Sequence, residues 1–208
     1  MASTTEWRDI EAAYLTVPVD KRDHVQGPDG APVTLVEYGD YECPYCGQAY
    51  PIIKKIQTNT RDELRFVFRN FPLAQVHPHA QQAAEAAETA GAQNMFWEMH
   101  DRLYEHQSEL GHEDLKKHAS ALGLDVSVFE HELSGHVHAS RIREDFMSGV
   151  RSGVNGTPTF YINGKRYDDS WDEETLMASI RQVISFSQRG NVRPNRRASR
   201  SEVKKTKK

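Results

Sequence analysis

The run Val33-Thr34-Leu35-Val36-Glu37-Tyr38-Gly39-Asp40-Tyr41-Glu42-Cys43-Pro44-Tyr45-Cys46 passes from a strand pattern straight into a helix start. Val33 to Tyr38 is rich in β-branched and apolar residues, the composition of a buried strand. If Cys43 caps the helix, Pro44 takes its first position, where a missing N–H is no loss. The free N–H groups of Tyr45 and Cys46 then face the Cys43 sulfur, and the positive helix end favours a thiolate. A cysteine that ordinarily titrates near ~8.5 can fall to ~3.5–7 in such a place. Cys46 lies one turn further in, within reach of any mixed disulfide formed on Cys43. Attack by one thiolate and displacement by its neighbour is thiol–disulfide exchange. A structural disulfide across so short a loop would remove little chain entropy, and a zinc site needs two ligands beyond this pair.

Outward from this run, Leu64 to Arg69 reads as a second strand, and Tyr50, Ile52, Ile53 and Ile56 recur between the two at helical spacing. Strand, helix, strand implies a βαβ unit with parallel strands. From about His79 to Gly153 the pattern is helical nearly throughout. It divides into Ala80–Ala92, Asn94–Gln107 with Asn94 as its cap, Glu113–Leu122, a run capped by Asp125, and His138–Val150. Pro158 to Ile162 returns to strand, Asn163-Gly164 is a hairpin signal, Lys165–Tyr167 pairs back, and Asp172–Ser187 forms a last helix. The expected organisation is one α/β domain over residues 33–186 with an all-helical insertion at about 75–150. Residues 1–32 form an N-terminal extension, irregular apart from a short helix over Thr5–Tyr14.

The chain has 208 residues, 38% hydrophobic and 27% charged, with two cysteines and a net charge of −4. Mean hydropathy is −0.72, and no apolar run approaches the ~20 residues of a membrane span. Two cysteines exclude a multi-disulfide scaffold. From Ser187 to Lys208 there are nine Lys or Arg residues against the single acid Glu202, a charge of +8, which leaves −12 on residues 1–186. Residues 187–208 are expected to be a basic disordered tail making at most weak polyanion contact. The N-terminus shows no basic segment followed by an apolar one, so a cytoplasmic location is expected. Of the ten histidines, His77/His79 and His136/His138 are closely paired; both pairs read as surface or capping residues, and no metal site is expected.

Residues 36–46 resemble the active-site segment of the DsbA-like thiol–disulfide oxidoreductases, a thioredoxin-fold family with a helical insertion. Gly91 to Asp101 resembles that family's inserted helices, and Gly153-Val-Asn-Gly-Thr-Pro-Thr-Phe-Tyr-Ile-Asn-Gly164 its cis-proline strand. The resemblance implies a thioredoxin-like fold with Cys43 attacking, Cys46 resolving and Glu37 as a buried acid that exchanges a proton with Cys46. It also implies that Pro158 is a cis-proline and that Thr157 offers backbone groups to an extended substrate, with Pro44 and Tyr45 on the substrate side. No cofactor beyond a redox-active Cys43–Cys46 disulfide is implied. The partners would be protein or peptide thiols and disulfides, with glutathione or a protein as redox partner.

The best-known members carry His between the cysteines; this chain has Pro-Tyr, a pair also typical of glutaredoxins. Tyr45 brings no cation and is expected to offer its hydroxyl, while Asp40 and Glu42 add opposing negative charge. These sum to an expected Cys43 pKa of roughly 5–7 and a potential of about −150 to −230 mV. A redox-switched binding or sensor module using the same pair is the alternative.

Overall fold

The computed structural model describes residues 14–190. β2 (Val33–Gly39) and β3 (Leu64–Asn70) run parallel, joined through α1 (Pro44–Thr60). β4 (Thr159–Ile162) pairs antiparallel with β2, and β5 (Lys165–Tyr167) antiparallel with β4. Between β3 and β4 lie α2 (Ala80–Ala92), α3 (Phe96–Glu105), α4 (His112–Ala121), α5 (Val126–Ser134) and α6 (Ala139–Ser152); α7 (Glu173–Gly190) follows β5. Together with β1 (His24–Gln26) the sheet order is β1-β3-β2-β4-β5. This is a thioredoxin-like fold with β2 at the centre. Among the described residues no helix is long and apolar enough to cross a membrane.

Strand alternation divides the core in two. Val33, Leu35, Phe66, Phe68, Phe160 and Ile162 pack with α1, α2, α3 and α7. Val36, Tyr38, Val67 and Tyr161 pack on the opposite face, with Phe71, Val154 and Phe146 of α6. Glu37 shares its face with Leu35, beneath α1. At the β4–β5 hairpin both central residues adopt positive φ, Asn163 at 48° and Gly164 at 81°, as a type I′ turn requires.

Several expectations need correction. Of the extension expected over residues 1–32, the described part joins the sheet: β1 pairs antiparallel with β3 along His24–Gln26, and Tyr14 bridges to Lys165. The expected helix over Thr5–Tyr14 otherwise lies outside the described residues. The last helix continues through Gly190 rather than ending at Ser187, so the tail cannot begin at 187; residues 191–208 lie outside the described residues. Asn94 is not the cap of α3. It takes a left-handed conformation (φ 64°) and Met95 holds the N-cap position. Asp125 does cap α5, accepting the N–H groups of Ser127 and Val128.

β1 is held by a side-chain anchor. Arg69 on β3 is 2% exposed and donates to both Asp23 carboxylate oxygens (2.7 and 3.0 Å), to the Val17 and Pro18 carbonyls and to Tyr38 Oη. Asp23→Ala strands the guanidinium charge in the interior and is expected to cost about 3–5 kcal/mol in urea unfolding. An added Arg69→Met should recover much of that loss. A single-variant loss below about 1 kcal/mol would show that the pair does not anchor the segment.

Candidate active site

β2 delivers the chain to the first turn of α1. Cys43 is the N-cap, in extended conformation (φ −70°, ψ 121°), and Pro44 opens the helix. The Cys43 N–H donates to the Asp40 carbonyl (3.2 Å). Gln107, just beyond α3, clamps the turn by donating its side-chain amide to the carbonyls of Tyr41 (2.8 Å) and Cys43 (2.9 Å). Both cysteines are free thiols. Cys43 is 3% exposed and Cys46 0%, so only the first has a face toward solvent. Pro44 and Tyr45 are exposed beside it. Just before β4, the Thr157 carbonyl accepts the Cys43 thiol proton (3.3 Å), and the Thr157–Pro158 peptide bond is cis.

The two thiols are driven apart in acidity. The Cys43 pKa is lowered to about 5, first by the hydrogen bond from the Cys46 thiol, against the opposing cost of burial. The Thr157 hydroxyl and the backbone N–H groups of Cys46 and Tyr45 add to the lowering. That hydroxyl is buried and otherwise lacks a partner, so it is free to turn to the thiolate. Tyr45 therefore acts through its backbone; its ring is 59% exposed and its hydroxyl is not the donor expected from sequence. Burial, the hydrogen bond to Cys43 and the charges of Glu37 and Cys43 push Cys46 well up. Glu37 is 2% exposed, and its pKa rises to about 8, by burial first and then by the Cys43 charge. It holds its proton near neutral pH.

Asp40 and Glu42 do not stand as free charges against the thiolate, which corrects the sequence reading. Asp40 accepts from the N–H groups of Glu42 and Leu73 and lies 2.8 Å from His77 Nδ1. Glu42 accepts from the His79 N–H (2.6 Å) and lies 2.9 Å from His79 Nδ1. Both histidines belong to the connection between β3 and α2. Burial opposes charge on His77, but the hydrogen bond and charge of Asp40, then the charges of Cys43 and Glu42, raise its pKa. The Pro-Tyr dipeptide brings no cation, and His77 brings from elsewhere in the fold an imidazole whose charged form these neighbours favour. The other pair also meets carboxylates, His136 that of Glu85 and His138 that of Glu132. Sequence reading gave His77 and His79 only a surface or capping role, which fits His79 as the N-cap of α2, and did not single out Gln107; the signal for their part in the site was the His-Pro-His spacing itself.

Two titrations follow. Folding raises the Glu37 pKa from about 4.5 to about 8, so the native state keeps a proton that the unfolded chain releases. Its stabilising effect is complete below about pH 4.5 and is lost as pH rises toward 8, at about 1.4 kcal/mol per unit. With both cysteines reduced, Glu37→Gln should gain on the wild type at that rate between roughly pH 5 and 7.5; a constant difference would refute the buried acid. Thiolate absorbance should place the Cys43 midpoint near pH 5. His77→Gln should raise it by up to about one unit, and an unmoved midpoint would remove His77 from the electrostatics of the site.

The family model described as Thioredoxin matches residues 20–182. Among curated proteins, the Na(+)/H(+) antiporter NhaA 1 of Salinispora arenicola is 49% identical over 187 residues, 88% of this chain and 28% of that protein. NhaA 1 of Mycobacterium sp. strain KMS is 43% identical over 184 residues, covering 85% of this chain and 30% of the relative. The chain thus spans less than a third of the curated relatives it matches. Among solved structures, oxidised BdbD from Bacillus subtilis superposes with a TM-score of 0.75 at 26% identity, covering 84% of this chain and 97% of BdbD. Wolbachia pipientis alpha-DsbA1 gives 0.72 at 17% identity, covering 85% and 97%. The family match runs from before β1 into α7, through the paired cysteines at the head of α1, and the chain belongs to the thioredoxin family.

Proposed function

We propose that the chain exchanges its Cys43–Cys46 couple with the thiols and disulfides of protein or peptide partners. The observation that supports this most directly is the split in acidity between two adjacent sulfurs, with Cys43 at about 5 and Cys46 well above its ordinary value. In the reducing direction the Cys43 thiolate attacks a partner disulfide, forming a mixed disulfide and releasing one partner thiolate. Cys46 gives its proton to the ionised form of Glu37 and attacks Cys43 Sγ. The intramolecular disulfide forms, and the second partner sulfur leaves as a thiolate that takes a proton from water. The partner disulfide gains the electron pair that the dithiol loses. The same steps run backward oxidise a partner dithiol. The sulfurs carry the electron pair, so the step calls on no organic cofactor. Pro44, Tyr45, Thr157 and Pro158 form the rim along which an extended partner strand would lie.

Cys46→Ser is expected to accumulate mixed disulfides, because nothing is left to resolve them, whereas Cys43→Ser accumulates none and loses insulin or glutathione-disulfide turnover. Turnover independent of Cys43 would overturn the proposal and leave a binding or sensor module. Equilibration in glutathione buffers is expected to give a potential of about −150 to −230 mV; a value near about −270 mV would mark a reductase instead. The antiporter-named relatives favour a second reading, in which the same exchange serves a membrane-transport polypeptide. Cys46→Ser adducts forming on membrane-protein thiols would support it, and adducts only on soluble substrates would exclude it.

A further inference from the structure

Gly47 lies directly after Cys46 within α1, a position where alanine would favour the helix and glycine weakens it. It does not adopt a positive φ, so backbone conformation does not ask for glycine here. Space does. A Cβ at residue 47 would begin 2.0 Å from Gln107 Oε1 and 2.6 Å from Gln107 Cδ, so the bare Cα leaves the Gln107 amide its seat against α1. From that seat Gln107 Nε2 directs its two protons at the turn, to the Tyr41 carbonyl (2.8 Å) and the Cys43 carbonyl (2.9 Å). The Cys43 carbonyl also accepts the Gly47 N–H (3.1 Å), the bond that closes the first turn of α1. Gln107 itself comes from the helical insertion, just past the end of α3.

The two carbonyls flank Glu42 and straddle the junction at which β2 gives way to α1, with Cys43 as the extended N-cap. We infer that Gln107 is a positioning residue for Cys43: by pinning these carbonyls it holds the sulfur at the head of α1 and so sets the balance between dithiol and disulfide, with Gly47 as the seat that admits it. This rests on the thiol–disulfide exchange proposed above. The amide is neutral, and its hydrogen bonds end on carbonyl oxygens rather than on sulfur. The charged and titratable groups around Cys43 belong to other residues: Glu37 of β2, Asp40 and Glu42 of the turn, Cys46 of α1, and His77 and His79 of the β3–α2 connection. What Gln107 governs is the place of the sulfur relative to the unpaired N–H groups of the helix start, which favour negative charge. A loosened turn weakens that preference, destabilises the reduced state and moves the couple toward its disulfide.

The test is thiolate absorbance against pH, with glutathione-buffer equilibration, on the full chain and its Gln107→Ala, Gly47→Ala and double variants. Gln107→Ala should raise the Cys43 midpoint by about one unit, the scale of a lost cap interaction, and shift the glutathione equilibrium about tenfold toward the disulfide at pH 7. Gly47→Ala keeps the amide but unseats it, and should reproduce both shifts. In the double variant the shifts should not add, because the new methyl group meets no amide. Urea unfolding should show a larger loss in the reduced chain than in the oxidised one. An unmoved midpoint, or an equal loss of stability in both redox forms, marks a brace without influence on the sulfur and overturns the inference; shifts that add overturn the link between Gly47 and Gln107. If Gln107→Ala folds poorly, Gly47→Ala decides alone, since alanine suits a helix. A Cys43–Cys46 couple that does not exchange with glutathione disulfide in any of these chains overturns the exchange reading instead.

Discussion

A single negative charge in a dry pocket, for which Cys43, Cys46 and Glu37 all compete, is what the rest of the site is arranged around. Each group next to another ionised one is disfavoured, so the three titrate as a set rather than independently. The helix N-terminus breaks the tie. Its N–H groups, the Cys46 thiol and the Thr157 hydroxyl all favour the charged form of Cys43. The charge is therefore held at the one sulfur with a face toward solvent, and the protons stay on the two groups without one. Reaction with a partner removes the charge from Cys43 and lets it reappear deeper in the pocket.

The fold creates this competition with very local means. The two-residue period of β2 puts Glu37 in line with Leu35, under α1, and places Tyr38 on the opposite face against α6. The helical segment between β3 and β4 does more than cover the sheet. His77 and His79 from its leading edge close on the two acids before Cys43, and Gln107 past α3 fastens the carbonyls of the same turn. A turn with two carboxylates and a thiolate within four residues would repel itself if left to its own sequence. The insertion supplies the imidazoles and amide donors that let it close.

Much of this was legible because it is periodic or local. The run from Val33 to Cys46 announces strand, turn and capped helix, and the alanine-rich, aromatic and Asp125-capped segments declare their helices. β1 was not legible, because three residues carry no period and its place depends on Arg69 and Asp23 meeting across the fold. Nor was the start of α3, since Asn94 prefers both capping and left-handed conformations, and tertiary packing chose the latter. At the site, the cysteines and Glu37 could be singled out from position alone. The sign of the electrostatics could not. Asp40 and Glu42 look hostile to a thiolate until His77 and His79 arrive from more than thirty residues away, and Tyr45 looks like a side-chain donor until its ring turns outward.

The two outermost strands, β1 and β5, are each three residues long. A sheet edge presents unpaired N–H and C=O groups that any extended chain can extend further, and long bare edges are where aggregation begins. A protein whose proposed partners are extended polypeptides with reactive thiols meets that hazard at every encounter. Capping the longer β3 and β4 with such brief strands shortens the template on both sides. Partner strands can then lie against the cysteines and leave again, without being recruited into the sheet that holds those cysteines in place.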